Sequence, residues 1–332
     1  MAKNDLRWTI VGLGKHAVIL AKALQSAEQE LAAVVGHEEH ARPFLSDTVQ
    51  RFDSLSDALE RAAFDAVCIT SPNFRHAQEA IESLNAGKHV LLEKPMALSM
   101  EEARSIEVAA KKSGAVCMID FHLRQHPTVL RAKEIIGSGT LGEIVSIDMR
   151  WSSGTANGTL PPLPESMKWR EDPKLAGGGA LMARGVHLFD LLRFLTNEEV
   201  TDACALSDAT EQMVDRTIAG VLRIKSGAIA TILTSKKLTG ARNGVEVAGT
   251  KGSIWLDIFR SGEGTLSITD ADGAKEESFP ATDLYASVFS AFALSLESKA
   301  NFGASLDDGL ASVAITDAVQ KSVQTGRIVS VS

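Results

Sequence analysis

The chain has 332 residues, of which 45% are hydrophobic and 23% charged, and its formal net charge at pH 7 is -8. This composition indicates a folded globular protein of about two domains and excludes disordered and fibrous chains. A net negative charge disfavours nucleic acid as a partner, because binding to phosphates depends on Lys and Arg. No apolar run of about 18 residues is present, so we expect no membrane partner either.

The three cysteines, Cys68, Cys117 and Cys204, lie far apart in apolar segments. Their odd number and wide spacing match neither a disulfide framework nor a metal-binding pattern. We therefore predict three buried thiols and expect no metal site. The first residues lack the basic start and apolar core of a signal peptide, so a cytoplasmic location is expected.

Short apolar, β-branched runs alternate with helical patterns from residue 7 to about residue 122. This alternation predicts an α/β domain of residues 1–122, with a doubly wound parallel sheet covered by helices on both faces. Ser99, followed by Glu101 and Glu102, is predicted to cap a helix start. The predicted strands are Trp8–Val11, Leu31–Val35, Ala66–Ile69, Val90–Leu92 and Ala115–Ile119, and the predicted helices are Ala17–Ala27, Ser56–Ala63, Arg75–Ala86 and Ser99–Ser113.

After a predicted helix at 128–137, strands separated by turns replace the alternation, and Lys225 to Ala228 is predicted to form a hairpin turn. This pattern predicts an α+β domain of residues 123–332, built on a largely antiparallel open sheet with helices on one face. An uncovered sheet face favours a homo-oligomer, either a dimer or a tetramer. The predicted strands are 143–151, 200–207, 215–224, 228–236, 244–249 and 253–259, and the predicted covering helices are 180–195, 283–298 and 307–325.

A glycine-rich turn follows the first predicted strand and opens the first helix. Its residues are Gly12, Leu13, Gly14, Lys15, His16 and Ala17. The first glycine permits a tight turn, the second lets a pyrophosphate approach the backbone, and the small third residue lets helix and strand pack closely. The motif alone is also found in plain strand-to-helix turns. Its position after the first strand predicts a dinucleotide-binding Rossmann domain, with all these residues except Leu13 as cofactor contacts.

The end of the second predicted strand bears on the choice of cofactor. An acid usually stands there to bind the ribose hydroxyls of NAD(H), but this chain has Gly36 and His37. The space at Gly36 and positive charge from His37, His40 or Arg42 favour NADP(H). The neighbouring acids argue for NAD(H), which stays possible; they are Glu38 and Glu39.

Two segments carry a family resemblance, DAVCITSPNFRH at residues 65–76 and AGKHVLLEKP at residues 86–95. With Trp169-Arg170, Gly177 to Ala180 and Gly185-Val186-His187 downstream, they resemble the Gfo/Idh/MocA family of sugar and polyol dehydrogenases and reductases. Two further runs look most like the 1,5-anhydrofructose reductase branch, which uses NADPH. These runs are His122-Leu123-Arg124 and Gly244 to Ser253.

The resemblance implies an NAD(P)-dependent oxidoreductase whose residues 123–332 bind substrate and form the oligomer. It implies that Lys94 donates a hydrogen bond to the reacting oxygen and that His187 is the general acid/base, a role suited to a side chain that titrates near neutral pH. The further cofactor contacts that it implies are Ser71, Pro72, Asn73, His76, Glu93, Lys94, Trp169 and Arg170. The substrate contacts are Lys94, His122, Arg124, Arg184 and His187, whereas Asp120, at a strand end, has no assigned role.

One position departs from the family pattern. Ala183 stands where the family has Asp four residues before the histidine, on the same helix face as His187. Arg184 and Asp190, each three residues from His187, are candidates to orient its ring or to bind an anionic substrate group. A surface pair between Asp190 and Arg193 is the alternative.

Three functions fit these residues. The leading one is reversible transfer of hydride between a nicotinamide cofactor and a sugar, anhydrosugar or polyol. The second keeps the cofactor but oxidises the substrate only transiently, as in an oxidation-assisted glycosidase or epimerase. The third is a nucleotide-bound sensor that lost catalysis with the acid at position 183. The sequence leaves the sugar, the reacting carbon and the direction open.

Overall fold

The computed structural model describes residues 6–37, 40, 46, 48–155, 160–259 and 263–332. The chain divides into two units. The first unit is Met1–His122 with Asp283–Leu310, and the second is Leu123–Thr282 with Ala311–Ser332. The sequence-based division put all of 123–332 in the second domain, so the segment Asp283–Leu310 corrects it. None of the described helices is long and apolar enough to cross a membrane.

The first unit contains a six-stranded sheet in the order β3-β2-β1-β4-β5-β6, and every pairing in it is parallel. Strands β2 and β3 are added on one side of β1, and strands β4, β5 and β6 are added on its other side, so the strand order reverses between β1 and β4. Ligands of doubly wound sheets bind at the carboxyl ends of the strands where this reversal occurs. The predicted Rossmann sheet is confirmed. Its strands are β1 (Arg7–Val11), β2 (Glu30–Val35), β3 (Gln50–Phe52), β4 (Ala66–Ile69), β5 (His89–Leu92) and β6 (Cys117–Ile119).

In the described part of this unit, helices alternate with the strands as the sequence predicts. They are α1 (Lys15–Ser26), α2 (Leu55–Arg61), α3 (His76–Asn85) and α4 (Met100–Ser113). Ser99 caps α4 as predicted, since its hydroxyl accepts a hydrogen bond of 3.2 Å from the Glu102 amide. The strand β3 was not predicted, because its three residues include the polar Gln50 and Arg51 and give no apolar run.

Trp8, which is 0% exposed, lies in the core of the first unit. Its ring centroid is 5.0 Å from that of Phe289 and 4.9 Å from that of Phe292. Both phenylalanines belong to α8 (Leu284–Ser298). The prediction that 283–298 covers the second sheet is therefore wrong. Sequence periodicity identifies an apolar helix, but it does not say which sheet that helix buries itself against.

The second unit contains a nine-stranded sheet in the order β14-β13-β12-β11-β7-β10-β9-β8-β15. Among the described residues, β7 and β10 pair in parallel and the other neighbouring strands pair antiparallel. The predicted hairpin between β9 and β10 is present, with Gly227 at φ +97°. Strands β13 to β15 were not predicted; β14, for example, reads GAKEESF and has no apolar alternation. The bounds are β7 (Ile144–Ser152), β8 (Val200–Ser207), β9 (Thr217–Ile224), β10 (Ile229–Ser235), β11 (Gly244–Gly249), β12 (Gly252–Asp257), β13 (Gly264–Asp270), β14 (Gly273–Phe279) and β15 (Val329–Ser330).

Helices pack on one face of this sheet. They are α5 (Pro127–Gly137), the single turn α6 (Pro173–Ala176), α7 (Val186–Thr196) and α9 (Leu306–Thr325), and a π-helical turn, Leu181–Gly185, leads into α7. α5 packs against β12 to β14, and α7 packs against β7. The opposite face carries exposed apolar side chains, with Leu206 76% and Val221 45% exposed. Cys204 is exposed beside them, so its predicted burial is wrong, whereas Cys68 and Cys117 are buried as predicted.

Candidate active site

Gly12 lies directly after β1, next to the end of β4. Its φ is +87°, and a Cβ there would lie 2.5 Å from Ser71 Cα. Backbone atoms of Ser71 cannot move aside, so this position requires glycine for both its conformation and its space. The close approach brings the ends of β1 and β4 together at the reversal point of the sheet.

Gly14 is a glycine that the protein's own packing does not require. Its φ is -76°, and a Cβ there would meet no atom within 4 Å. It precedes α1, whose first amides receive no side-chain cap, and Ala17 is fully buried against the strand. Backbone amides that lack a side-chain cap and lie next to an exposed glycine suit a pyrophosphate. The turn therefore fits a dinucleotide, with Lys15 exposed and His16 partly buried beside it.

Gly36, after β2, has a packing reason to be glycine. Its φ is +155°, and a Cβ would lie 2.9 Å from Leu13 Cγ. Packing against Leu13 thus explains why no acid stands at this position. The absence of an acid here does not by itself favour NADP(H) over NAD(H). His37 and His40 are exposed, as a contact to a bound 2′-phosphate requires. The other charged residues considered in the sequence lie outside the described part of the chain; they are Glu38, Glu39 and Arg42.

His76 is buried between two backbone carbonyls and is 1% exposed. Its Nδ1 lies 2.8 Å from the Pro95 oxygen and its Nε2 lies 2.9 Å from the Ser71 oxygen. Burial lowers the pKa of His76. Both ring nitrogens face backbone carbonyls, and a neutral ring donates to one of them; the buried side chain has no surface to offer a ligand. Its predicted cofactor contact is replaced by a positioning role, in which it links the end of β4 to the cis peptide bond of Lys94 and Pro95.

Ser71, Pro72 and Asn73 follow β4, and Asn73 begins a 3₁₀ turn. The Ser71 hydroxyl donates a 2.5 Å hydrogen bond to Glu79 Oε2, and Arg75 lies 2.8 Å from Glu79 Oε1. Burial raises the pKa of Glu79. Because the Ser71 hydroxyl is held by Glu79, a cofactor contact there would involve the backbone of this segment. The contacts of Pro72 and Asn73 with a cofactor stay predictions.

Glu93, Asp120 and His16 form a cluster at the carboxyl ends of β5 and β6. His16 Nε2 lies 2.5 Å from Glu93 Oε1, and one ligand atom from each residue lies within 4.8 Å of the others. Asp120 is 1% exposed. Burial and the charge of Glu93 raise the pKa of Asp120, whereas His16 and Lys94 hold the pKa of Glu93 well below its usual range against its own burial. The two buried acids thus share one proton, with Glu93 ionised and Asp120 neutral.

Two carboxylates and an imidazole are also a donor set for a divalent cation. The hydrogen bond from His16 and the proton on Asp120 satisfy Glu93 without one. Lys94, at the end of β5 and partly buried, adds a positive charge beside the same acids. We therefore interpret the cluster as a proton-sharing group that holds a negative charge next to Lys94.

Tyr285, on α8, completes this cluster and was missed in the sequence. Its ring lies 4.5 Å from the His122 ring and 5.2 Å from the His16 ring. Burial and the charge of Glu93 raise the pKa of Tyr285, so its hydroxyl is a neutral donor. The residue is distant in sequence from every motif. The only available signal was that it is the single tyrosine of the chain.

Asp120→Asn should make the protein less sensitive to alkaline pH. The pKa of Asp120 is raised in the folded state, so its contribution to stability is present at low pH and is lost as pH rises through that value. A neutral amide of the same shape removes this loss. We expect the melting temperature of the variant relative to wild type to increase from pH 5 to pH 9.

The exposed acid Glu60 provides the control, and Glu60→Gln should show no such trend. An equal pH dependence in Asp120→Asn and wild type would contradict a shared proton.

His187 lies in the first turn of α7 and is 2% exposed. Its ring centroid is 5.4 Å from that of Trp151, which extends from β7 on the helix-covered face. Trp151 stacks on Phe259 with a centroid distance of 4.6 Å and an interplanar angle of 15°. The histidine therefore packs at the edge of an aromatic pair. Its role as general acid/base stays a prediction.

Arg184 belongs to the π-helical turn just before α7. Its Nη2 donates a hydrogen bond to the Ser153 hydroxyl, and its guanidinium carbon lies 5.9 Å from the Trp151 ring centroid. Its Nη1 is buried and has no hydrogen-bond partner among the described residues. Burial lowers its pKa. Trp151 thus has His187 and Arg184 as neighbours in the same unit.

Arg124 is buried in an ion pair with Asp190. The two side chains are 8% and 1% exposed, and the shortest contact, from Arg124 Nη2 to Asp190 Oδ1, is 2.6 Å. Arg124 Nε also contacts both carboxylate oxygens. This pairing occupies the guanidinium, so the predicted substrate contact of Arg124 is not supported by the structure. The alternative, a surface pair of Asp190 with Arg193, is wrong as well, since Asp190 is 2% exposed and Arg193 pairs with Glu199 at 2.6 Å.

Trp169 and Arg170 lie in the 3₁₀ helix Glu165–Glu171, with the guanidinium of Arg170 4.6 Å from the Trp169 ring centroid. Arg170 is exposed and Trp169 is partly buried. Their cofactor contacts stay predictions.

Two family models match the chain. One is described as an oxidoreductase family with an NAD-binding Rossmann fold and matches residues 6–121. The other is described as a GFO/IDH/MocA C-terminal domain and matches residues 129–255. A 1,5-anhydro-D-fructose reductase from Ensifer adhaerens is 31% identical over 79% of this chain and 78% of its own length. The chain belongs to the Gfo/Idh/MocA family of oxidoreductases.

Other relatives of this family member span almost the whole chain. An inositol 2-dehydrogenase from Rhizobium meliloti is 28% identical over 98% of this chain and 99% of its own. The structure of a Kribbella flavida oxidoreductase domain protein superposes with a TM-score of 0.88 at 21% identity, covering 99% of both chains. A levoglucosan dehydrogenase in complex with NADH and levoglucosan superposes with a TM-score of 0.87 at 23% identity, covering 98% of this chain and 99% of its own. These two structures support the same fold.

Proposed function

We propose that this protein transfers hydride reversibly between NADP(H) and one carbon of a sugar, anhydrosugar or polyol. The observation that carries the proposal is the glycine turn at the reversal point of the sheet. Gly12 is required there by Ser71, whereas Gly14 is open and not required by the protein itself. The names of relatives, which include an anhydrosugar reductase and an inositol dehydrogenase, support the substrate class.

In this proposal the turn from Gly12 to Ala17 holds the pyrophosphate, and the segment from Ser71 to Asn73 borders the rest of the dinucleotide. Trp169 and Arg170 are further contacts by family resemblance. When bound, the nicotinamide accepts hydride from a carbinol carbon or returns it to a carbonyl carbon. The chain's own residues must bind the substrate, orient it and move one proton.

Lys94 is proposed to donate a hydrogen bond to the reacting oxygen. It follows β5 directly and lies beside the ionised Glu93 and the neutral Asp120. The negative charge of Glu93 attracts the lysine ammonium and holds it at this strand end. An ammonium held in place stabilises the partial negative charge that develops on the substrate oxygen.

His187 is proposed to move the proton. In oxidation its neutral imidazole accepts the hydroxyl proton as hydride leaves the carbon, and in reduction its imidazolium returns that proton to the carbonyl oxygen. Its ring is kept in one place by Trp151 and by the buried first turn of α7. His122 is proposed as a further substrate contact because it is only partly buried and follows β6.

His37→Asp should shift cofactor preference from NADP(H) toward NAD(H). His37 is exposed and follows Gly36, so an acid there avoids the clash with Leu13 that Gly36→Asp would cause. A carboxylate would repel a 2′-phosphate and bind ribose hydroxyls instead. A change of about 1–2 kcal/mol predicts a shift of roughly 5- to 30-fold in the ratio of kcat/KM values. His37→Asn is the matched neutral control and should shift this ratio less; equal ratios in wild type and His37→Asp would contradict the proposed site.

The proposed function is tested by assaying matched sugars, anhydrosugars, polyols and sugar acids with NADP(H) and with NAD(H). A steady change in nicotinamide absorbance with at least one substrate supports it. Product formed without a net absorbance change would favour transient oxidation instead. Binding of a cofactor with no turnover of any substrate would favour the sensor.

We further propose self-association through the open face of the nine-stranded sheet, where Leu206 and Val221 are exposed. Exposed apolar patches on sheets favour association. A cytoplasmic location is also proposed, since all three cysteines are unpaired. Sedimentation of wild type and Leu206→Glu tests the interface, because a monomeric wild type would contradict it.

A further inference from the structure

Arg184 and Arg124 differ in how their charges are balanced. Arg124 is almost fully buried, and Asp190 neutralises it through several hydrogen bonds. Arg184 is partly buried, and it contacts Ser153 and Trp151, which carry no charge. No carboxylate of the described residues forms an ion pair with it. Arg124 thus has a counter-charge, whereas Arg184 has none among the described residues.

An unbalanced, desolvated guanidinium is costly, because arginine stays protonated in proteins and loses water on burial. Nη1 of Arg184 adds to this cost, since it is buried without a hydrogen-bond partner among the described residues. Folding alone does not explain why a charge is kept here. A ligand that brings a negative charge and an acceptor oxygen would remove both costs.

The contacts of Arg184 also place this charge near His187. Both side chains approach the indole of Trp151, Arg184 with its guanidinium carbon at 5.9 Å and His187 with its ring at 5.4 Å from the centroid. Trp151 is itself held by stacking on Phe259. A small ligand lying against Trp151 would therefore be within reach of both groups.

We infer that Arg184 binds a carboxylate of the substrate, so that the sugar or polyol of the proposed reaction is a sugar acid. This inference rests on the proposed function and names its substrate class. A carboxylate presents two oxygens to the guanidinium fork and brings a single negative charge. A phosphate monoester brings a charge near -2 at neutral pH and would leave the excess unbalanced by the uncharged Ser153 and Trp151.

The test compares sugar acids with their neutral counterparts. D-glucuronate is paired with D-glucose, D-galacturonate with D-galactose and D-gluconate with D-glucitol, each with both cofactors. We expect at least one acid to be turned over with a KM about tenfold or more below that of its neutral partner. D-glucose 6-phosphate is included to separate a carboxylate site from a phosphate site, and its preference over every acid would overturn the inference.

Arg184→Met should raise the KM for the preferred acid by roughly 10- to 150-fold, as expected for loss of a hydrogen bond between charged groups. The KM for a neutral substrate should change little. Arg184→Lys keeps the positive charge but lacks the forked guanidinium. Its KM for the preferred acid should lie between those of wild type and Arg184→Met. Arg104→Met, an exposed arginine on α4, is the control and should leave both KM values unchanged.

Thermal melting without substrate separates binding from a structural role. Removing a desolvated charge should leave the melting temperature of Arg184→Met equal to or above that of wild type. A marked decrease in the melting temperature would show that Arg184 stabilises the fold, and it would overturn the inference. Equal use of acids and neutral sugars, with Arg184→Met affecting both alike, would overturn it while the proposed oxidoreductase function stands.

Calorimetric titration with the three acids provides a readout that does not depend on turnover. Binding of an acid to wild type that weakens in Arg184→Met supports the inference even if hydride transfer is absent and the proposed function fails. Binding of none of the acids, with or without cofactor, overturns it.

Discussion

His187→Ala is expected to lower kcat by about two to four orders of magnitude, the usual contribution of a positioned proton carrier. His187 is buried beside Trp151, so water has little access to replace the imidazole. Single-turnover measurement of nicotinamide absorbance, with the substrate identified by the panel, gives this rate directly. The pH profile of the residual activity should also no longer show the change in rate that depends on the protonation of the histidine.

Two controls accompany this variant. Cofactor affinity, measured by fluorescence titration, should stay within about twofold of wild type, because His187 is not among the residues proposed to contact the dinucleotide. His187→Gln retains a polar side chain of similar size and should be as inactive as His187→Ala. Near-normal turnover in either variant would remove His187 from the mechanism.

Asp190→Ala is expected to lower the free energy of unfolding by about 3–5 kcal/mol, because it leaves Arg124 buried without its counter-charge. The pair holds α7 against the turn that contains Arg124, and α7 carries His187 one turn earlier. Urea denaturation followed by circular dichroism measures the loss. Activity should fall along with stability near the unfolding midpoint.

The double variant Arg124→Met/Asp190→Leu separates the pair's energy from the cost of one uncompensated charge. Apolar residues of similar volume often replace a buried ion pair without loss. We expect it to recover most of the stability that Asp190→Ala loses. Arg193→Met, which breaks the more exposed pair with Glu199, should cost about 1 kcal/mol or less. A double variant no more stable than Asp190→Ala would show that the pair acts through geometry and not through charge.

The first unit was predicted largely from local patterns. The strands β1, β2, β4, β5 and β6 are buried parallel strands with continuous apolar runs, so their positions were visible in the sequence. The glycine turn was visible for the same reason, since its function depends on residues adjacent in the chain. β3 was missed because a strand of three residues, two of them polar, carries no periodic signal.

The candidate site was predicted less completely because several of its side chains owe their roles to partners far away in the chain. Arg124 could be judged solvated or substrate-binding from sequence, and only its approach to Asp190 decided against both. His76 likewise lies next to a family motif, yet both its ring nitrogens are occupied by carbonyls. In each case the deciding fact was a contact between residues separated in sequence.

The sequence by itself determined the two-domain α/β and α+β architecture, the dinucleotide turn and the family, because these depend on periodicity and on motifs of adjacent residues. Only the tertiary structure placed α8 against Trp8, brought Tyr285 close to His16 and His122, and left Arg184 without an ion pair among the described residues. Burial and charge balance are set by neighbours in space, and a linear pattern does not specify those neighbours.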